Sequence, residues 1–172
     1  MRIAKYQIDQ YNDSQFSRHN NQFVFLKEQL GEQGINANDI VKQLEAFQVA
    51  IPSWALGTGG TRFGRFSGGG EPRSLEEKID DVGLLHALNR SSGSISLHIP
   101  WDIPSQAQAV ISQASSLDLK FDAVNSNTFQ DQKDQEHSYK FGSLSHVDKA
   151  VRKQAVEHNI EVIKYGKDLG SK

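Results

Sequence analysis

His98 is a side chain whose type and position could serve chemistry in this chain. It lies between Leu97 and Ile99 in an apolar run, three residues before Trp101. Histidine can change its charge near physiological pH, so it can act as a base, an acid or a hydrogen-bond partner. A histidine within a strand is also commonly a hydrogen-bonded structural residue. The structural interpretation is the commoner one for such residues, but a position at the carboxyl end of a parallel strand strengthens the functional one, and both stay open.

A second feature is a glycine-rich stretch, residues 54–73, with the sequence WALGTGGTRFGRFSGGGEPR. Loops longer than about 12–15 residues without secondary structure are usually functional or disordered. Its backbone amides could hold a phosphate, but no lysine follows the glycines as it does in a P-loop. The segment RFGRFSGGG within it is also typical of RNA-binding segments, although its two arginines are few. A third interpretation is a lid whose Phe63 and Phe66 contact a ligand or a second subunit.

The remaining potential metal ligands do not form a metal-binding pattern. The chain has no cysteine, and its histidines form neither an HxxxH nor an HExxH motif. Paired acidic residues within a predicted helix are most simply a solvated face, and one carboxylate beside a strand is not a metal site. The residues considered are His137, His146, His158, Asp80, Asp81 and Asp122. We therefore predict no metal site within this chain.

Alternating strand and helix patterns supply the scaffold for these residues. The predicted strands cover residues 47–53, 94–101 and 120–127. One predicted helix begins at Ser74, and two others cover residues 105–115 and 147–169. Such alternation indicates right-handed βαβ units on a parallel sheet. Functional residues of these sheets lie at the carboxyl ends of the strands. That edge would bring together Trp54, His98, Trp101 and residues 125–129.

Two details of the helices are specific enough to check. The sequence SLEE, from Ser74 to Glu77, matches a capping box, and Asn38 is placed to cap a second N-terminal helix. After the capping box, apolar residues recur at helical spacing and predict the inner face of that helix. They are Ile79, Val82, Leu85, His86 and Leu88.

Length predicts one domain. The sequence pattern divides it into a helical N-terminal segment, residues 1–48, and three βα units, residues 49–172. Three parallel strands form an incomplete sheet, so we expect the chain to be cut after its third unit.

The net charge of −2 argues against nucleic-acid or membrane partners. The chain lacks an apolar run of about 18 residues and a signal-peptide pattern. We therefore expect a cytoplasmic protein.

Several stretches, in the same order, resemble L-rhamnose isomerases of the bacterial type with relaxed sugar specificity. The stretches are IPSWALGTGGTRFGRFSGGGEPR, SLHIPWD, FDAVNSNTF, HSYKFGSLSH and QAVEHN. The resemblance covers about residues 49–172 and, weakly, the helical N-terminus. It implies a (β/α)₈ TIM barrel of the xylose-isomerase-like kind and association as tetramers. It also implies aldose–ketose isomerisation with a divalent metal, typically Mn²⁺.

The resemblance also implies roles for individual residues. Trp54 and His98 match sugar-pocket residues, and His98 could assist ring opening. Phe129 matches an apolar wall, Phe63 matches a lid aromatic that enters the neighbouring subunit's pocket, and Trp101 matches an aromatic beside the site. The family's metal ligands lie on later strands, so we expect this chain alone to bind no metal.

Three functions are therefore in competition. The first is the N-terminal part of a metal-dependent isomerase that converts L-rhamnose, and perhaps other aldoses, to the ketose and binds the small-molecule sugar. The second is an inactive truncated fragment that acts, if at all, by packing on a partner or on itself. The third is an RNA- or phosphate-binding module that uses the glycine-rich loop.

Overall fold

The three-dimensional structure is a computed structural model that describes residues 3–56 and 69–171. The described residues form five α-helices and three strands, and a 3₁₀ turn, Ser53–Ala55, follows the first strand directly. In chain order they are α1 (Lys5–Glu32), α2 (Ala37–Ala46), β1 (Ala50–Pro52), α3 (Leu75–Asn89), β2 (Ser94–Ile99), α4 (Ala107–Ser116), β3 (Lys120–Ser126) and α5 (Lys149–Leu169). The predicted alternation of strand and helix is confirmed.

The three strands form a parallel sheet in the order β1-β2-β3. The pairing of β2 with β3 starts at Ser94 opposite Lys120 and shifts by one residue after Ile95, so that Leu97 lies opposite Val124. Because one residue more is used on β3, the shift acts as a β-bulge. It places Asn125 opposite His98 at the carboxyl end of the sheet.

The hydrophobic core lies between this sheet and the helices that follow each strand. Ile95 and Leu97 of β2 are fully buried against Ile79 and Val82 of α3, and Val110 of α4 belongs to the same cluster. Each such side chain contributes about 1.5–3 kcal/mol when it is removed from water. Successive side chains of a strand point to opposite faces, so Ser96 and His98 lie on the other face of β2. The core therefore fixes the strand that carries His98.

The predicted inner face of α3 is wrong in its second half. Leu85 is 38% exposed and Leu88 is 56% exposed, whereas Leu75, Ile79 and Val82 are buried. A helix turns by about 100° per residue, which puts Leu88 on the side of α3 opposite Ile79. The apolar spacing of these leucines therefore gave a misleading signal.

The caps of two helices refine the sequence predictions. The Ser74 side chain accepts a hydrogen bond from the Glu77 amide at 3.2 Å, as the capping box requires. The Glu77 carboxylate accepts from the amide of Arg73, at 2.7 Å, one residue earlier than expected. The prediction that Asn38 caps α2 is wrong, because Asn36 occupies the cap position and accepts from the Asn38 amide at 3.0 Å.

The N-terminal helices α1 and α2 fall within residues 1–48, and the division from residues 49–172 stays a prediction. Large apolar side chains of α1 are more than 60% exposed, namely Tyr6, Tyr11, Phe16 and Phe25. Although α1 has 28 residues, neither it nor any other helix in the described ranges is long and apolar enough to cross a membrane.

The order of the strands follows the order of the chain, as in a barrel, and does not reverse as in a doubly wound sheet. Three strands do not close a barrel, however. The described residues establish a small parallel α/β sheet, and the closed (β/α)₈ barrel stays a prediction.

Candidate functional site

Four residues predicted from the sequence to form a site lie in contact at the carboxyl edge of the sheet. The His98 ring, at the end of β2, stacks on Trp101 with centroids 4.5 Å apart and planes at 27°. The edges of Trp54 and Phe129 approach the same imidazole, with centroid distances of 5.4 and 5.8 Å. Three aromatic rings from three different loops therefore surround one histidine.

A tight turn over residues 98–102 produces the stack. The amides of Trp101 and Asp102 both donate to the His98 carbonyl, at 2.9 and 3.0 Å. The His98 amide donates to the Asp102 carboxylate at 2.8 Å, which closes the turn from the other side. The Ile99–Pro100 peptide bond within this turn is cis. The turn brings the Trp101 indole back onto the imidazole of the residue that begins it.

The surroundings of His98 keep its imidazole neutral at pH 7. Its side chain is buried, with 6% of the residue exposed. Burial lowers the pKa of His98 below its ordinary value, and the charge of Asp102 opposes this effect. His158 and Lys78 lower the pKa of His98 further. A neutral imidazole carries one donor and one acceptor nitrogen, so it can serve a hydroxyl group in either sense.

One nitrogen of this imidazole has no partner among the described residues. The Nε2 atom of His98 is buried and has no hydrogen-bond partner within residues 3–56 and 69–171. Buried polar atoms are nearly always paired, so an unpaired one needs an explanation. Phe129 is the most exposed of the surrounding rings, at 59%.

Sequence reasoning placed Asn127 within the site loop of residues 125–129 but did not single it out; it follows β3 and lies two residues before Phe129. It is 2% exposed, and neither its amide oxygen nor its amide nitrogen has a partner in the described part of the chain. Its backbone amide donates to Nε2 of His158 on α5 at 3.0 Å. Asn127 lay inside a stretch matched to the sugar isomerases, but nothing in its spacing set it apart.

Sequence reasoning also missed a buried polar network beneath the rings. Asp102 accepts a 2.6 Å ion-pair contact from Lys78 of α3, and its other oxygen accepts from the hydroxyl of Ser53. All three residues are at most 5% exposed. A signal was present in the sequence, because Lys78 falls at helical spacing between Leu75 and Val82. A lysine on an apolar helix face requires a buried partner.

The predicted lid residue Phe63 lies outside the described residues, as does Phe66. The role of the glycine-rich loop as a lid therefore stays a prediction.

The predicted solvated face of α3 is only partly correct, because Asp80 accepts a hydrogen bond from Gln113 of α4 at 2.7 Å. Asp122 is exposed and accepts from Ser96 at 3.0 Å.

The donor set of the described residues does not fit a manganese site. Mn²⁺ prefers several carboxylate and imidazole ligands that converge on one point. No group of three or more histidine, aspartate or glutamate side chains converges in this way within residues 3–56 and 69–171. Near His98, the one carboxylate, Asp102, already bonds Lys78, Ser53 and a backbone amide. We therefore derive no metal chemistry from these side chains.

Comparisons with known proteins relate the chain to proteins described as probable sugar isomerases. No protein-family model matches the chain. It is 47% identical over 165 residues to a "probable sugar isomerase" of Rhizobium meliloti (strain 1021), an alignment that covers 96% of this chain and 38% of the relative. It is 52% identical over 150 residues to a "probable sugar isomerase" of Mesorhizobium japonicum, with 87% of this chain and 35% of the relative covered. Over most of its length the chain is thus homologous to proteins described as probable sugar isomerases, and it spans a little over a third of theirs.

Proposed function

We propose that this chain forms the sugar-binding part of an aldose–ketose isomerase whose substrate is L-rhamnose. The observation that carries the proposal is the neutral, buried His98 imidazole within the rings of Trp54, Trp101 and Phe129. A sugar presents C–H faces that stack on aromatic rings and hydroxyl groups that need fixed polar partners. The homology to probable sugar isomerases supports the sugar class, and the choice of L-rhamnose follows the sequence resemblance.

In this proposal His98 assists the opening of the sugar ring. Opening breaks the bond between C1 and the ring oxygen, removes the proton from the C1 hydroxyl and adds a proton to the ring oxygen. A neutral imidazole can accept the first proton and return it to the ring oxygen, because the same group is a base and, once protonated, an acid. The lowered pKa of His98 keeps it in the accepting form at pH 7.

The proposal limits this chain to sugar binding and ring opening. Transfer of hydrogen between C1 and C2 requires a polarised carbonyl, which the Mn²⁺ implied by the resemblance would supply. The described side chains do not fit that ion. We propose that the metal ligands belong to the part of the longer relatives that this chain does not span.

We also propose that the protein associates with copies of itself, as the tetramer implied by the resemblance. The support is that four aromatic side chains of α1 are more than 60% exposed, namely Tyr6, Tyr11, Phe16 and Phe25. Large apolar side chains left exposed in such number favour an interaction with another protein surface. Light scattering during gel filtration tests this proposal, and a monomer at all concentrations would contradict it.

Tryptophan fluorescence provides a direct test of sugar binding. The chain contains two tryptophans, Trp54 and Trp101, and both belong to the site. L-rhamnose should change their emission in a saturable way, and His98→Gln should weaken the response. A matched titration with the non-sugar polyol glycerol should give no saturable change. Absence of saturation with L-rhamnose and with other aldoses would reject the sugar-binding proposal.

Activity is tested on the longer relatives and on this chain in parallel. Formation of L-rhamnulose from L-rhamnose is measured with and without added Mn²⁺. Activity of the long protein alone, together with sugar binding by both proteins, is the expected result. If this chain neither binds nor isomerises sugars while the long protein does both, the alternative of an inactive fragment is favoured. That alternative is consistent with the 35–38% coverage of the relatives.

A further inference from the structure

We propose that the buried polar network centred on Asp102, which includes its ion pair with Lys78, is a positioning device whose hydrogen bonds hold the rings of the candidate sugar site in contact. Its consequence for sugar binding rests on the proposed function. The positioning itself is a property of the chain and can be measured without a ligand.

The Asp102 carboxylate is the centre of this device because both of its oxygens are used. Oδ1 lies 2.6 Å from Nζ of Lys78. Oδ2 accepts hydrogen bonds from the Ser53 hydroxyl and from the His98 amide, the latter at 2.8 Å. One carboxylate thus joins α3, the end of β1 and the end of β2.

Each of these bonds is adjacent to a ring of the site. Ser53 precedes Trp54 and begins the 3₁₀ turn that carries it. His98 contributes its own amide, and Trp101 directly precedes Asp102 in the chain. Lys78 lies on the helix whose Ile79 is fully buried in the core. The carboxylate is therefore bonded to Lys78 on α3, to His98, and to Ser53, the chain neighbour of Trp54.

Stability alone is a poor explanation for this arrangement. Asp102 is 1% exposed and Lys78 is 5% exposed, so both charges have lost nearly all contact with water. Replacement of a buried ion pair by well-packed apolar residues is often neutral or stabilising. A buried ionic group whose hydrogen bonds each hold one element of a binding site is better explained as a means of fixing geometry. Binding sites need supporting residues that hold their side chains to about 0.5 Å.

Two double variants separate positioning from packing. The apolar pair, Lys78→Met with Asp102→Leu, removes both charges together and leaves no uncompensated buried ion. The neutral polar pair, Lys78→Gln with Asp102→Asn, removes the charges but keeps an oxygen that can accept from the His98 amide. Both are made in a Trp54→Phe background, so that Trp101 is the sole tryptophan.

The readout is quenching of Trp101 fluorescence as His98 becomes protonated at low pH. A stacked imidazolium interacts with the indole face, so the amplitude reports ring contact. The charged and titratable groups that act on His98 are Asp102, Lys78 and His158. We therefore compare amplitudes between variants, because midpoints change whenever those charges change. Circular dichroism and thermal melting establish which variants are folded.

The apolar pair should fold and lose most of the quenching amplitude, whereas the neutral polar pair should keep it. Full amplitude in a folded apolar pair would overturn the proposal, because the network would then serve packing only. Equal loss in both pairs would also overturn it, because the hydrogen bond to the His98 amide would not be what holds the rings.

If neither double variant folds, Ser53→Ala decides the question. This variant removes only the hydrogen bond from the Ser53 hydroxyl, next to Trp54, to the Asp102 carboxylate. Measured in a Trp101→Phe background, it should change the Trp54 emission, whereas in the Trp54→Phe background the Trp101 quenching should persist. No change in Trp54 emission would contradict the proposal.

Sugar affinity is measured separately on the same variants. The apolar pair should bind L-rhamnose about tenfold more weakly, equivalent to about 1.4 kcal/mol. If the parent chain binds no sugar at all, the proposed function fails. The quenching experiment still tests the positioning role in that case.

Discussion

His98 and Trp101 stack with ring centroids 4.5 Å apart although only two residues separate them in the chain. The contact exists because the turn over residues 98–102 reverses the backbone and is closed through the Asp102 carboxylate. The Trp101 ring covers one face of the His98 imidazole, so the burial of His98 depends on Trp101. Several measurable properties follow from that dependence.

Stability should depend on the protonation of His98. Its pKa in the folded chain is lowered, chiefly by burial. Between its ordinary value of about 6.5 and the lower folded value, the unfolded chain binds the proton more readily. The unfolding free energy should therefore fall as pH decreases below about 6.5 and stop falling, for this group, below the folded pKa. Urea denaturation at a series of pH values measures the effect.

The control for this prediction is His98→Gln, which should lose the His98 contribution to the pH dependence. His19→Gln, at an exposed position of α1, should follow the wild type at every pH. Parallel curves for the wild type and His98→Gln would show that the imidazole does not titrate as the burial requires.

Removal of the Trp101 ring should raise the pKa of His98 and weaken sugar binding. Trp101→Ala exposes the imidazole to water, which reduces the desolvation that lowers the pKa. Loss of one aromatic contact costs about 0.5–1.5 kcal/mol beyond buried area, or roughly two- to tenfold in affinity. NMR titration of the His98 ring protons measures the pKa, and calorimetry measures the affinity. Trp101→Phe should retain most of both properties, and an unchanged pKa in Trp101→Ala would contradict the prediction.

Substitution of Asn127 by an apolar residue of similar size should stabilise the chain. Both polar atoms of the Asn127 amide are buried without a partner in the described ranges, and an unpaired buried polar group costs about 1–3 kcal/mol. Asn127→Leu removes that cost and keeps the backbone bond to His158. Thermal and urea unfolding should show a gain of about 1 kcal/mol.

Asn127→Asp is the matched control because it keeps the shape and adds a buried charge. It should destabilise the chain markedly. A loss of stability in Asn127→Leu would indicate that the amide has a partner in solution.

Two helical glycines should respond in opposite ways to a methyl group. A Cβ at Gly83 of α3 would lie 2.7 Å from Cδ1 of Leu117 and 3.0 Å from its Cβ. Overpacking of this kind costs about 1–3 kcal/mol, which exceeds the gain of about 1 kcal/mol in helix propensity. At Gly166 of α5 the nearest atom would lie at 3.6 Å, an ordinary contact.

Gly83→Ala should therefore lower the unfolding free energy, and Gly166→Ala should raise it by about 0.5–1 kcal/mol. Urea denaturation of the two variants measures both changes. A stabilised Gly83→Ala variant would mean that Leu117 moves aside at little cost.

The sequence predicted the parts of this structure that depend on local pattern. The apolar runs over residues 94–101 and 120–127 predicted parallel strands. The topology of alternating strands and helices placed Trp54, His98, Trp101 and Phe129 at one edge. Local spacing failed at Leu88, because whether an apolar residue is covered depends on which side of the helix meets the sheet. It also failed at Asn38, because Asn36 competes for the same cap two residues earlier.

The sequence itself thus determined the types of the site residues and their order along the chain. Parallel strands place their carboxyl ends at one edge of the sheet, so the residues that follow the strands meet there. Only the tertiary structure decided that one carboxylate, Asp102, connects Lys78, Ser53 and the His98 amide. Contacts between residues 24 and 49 positions apart depend on how helix and sheet pack. A charged residue on an apolar helix face indicates that a buried partner is needed, but the packing of helix and sheet determines which residue is that partner.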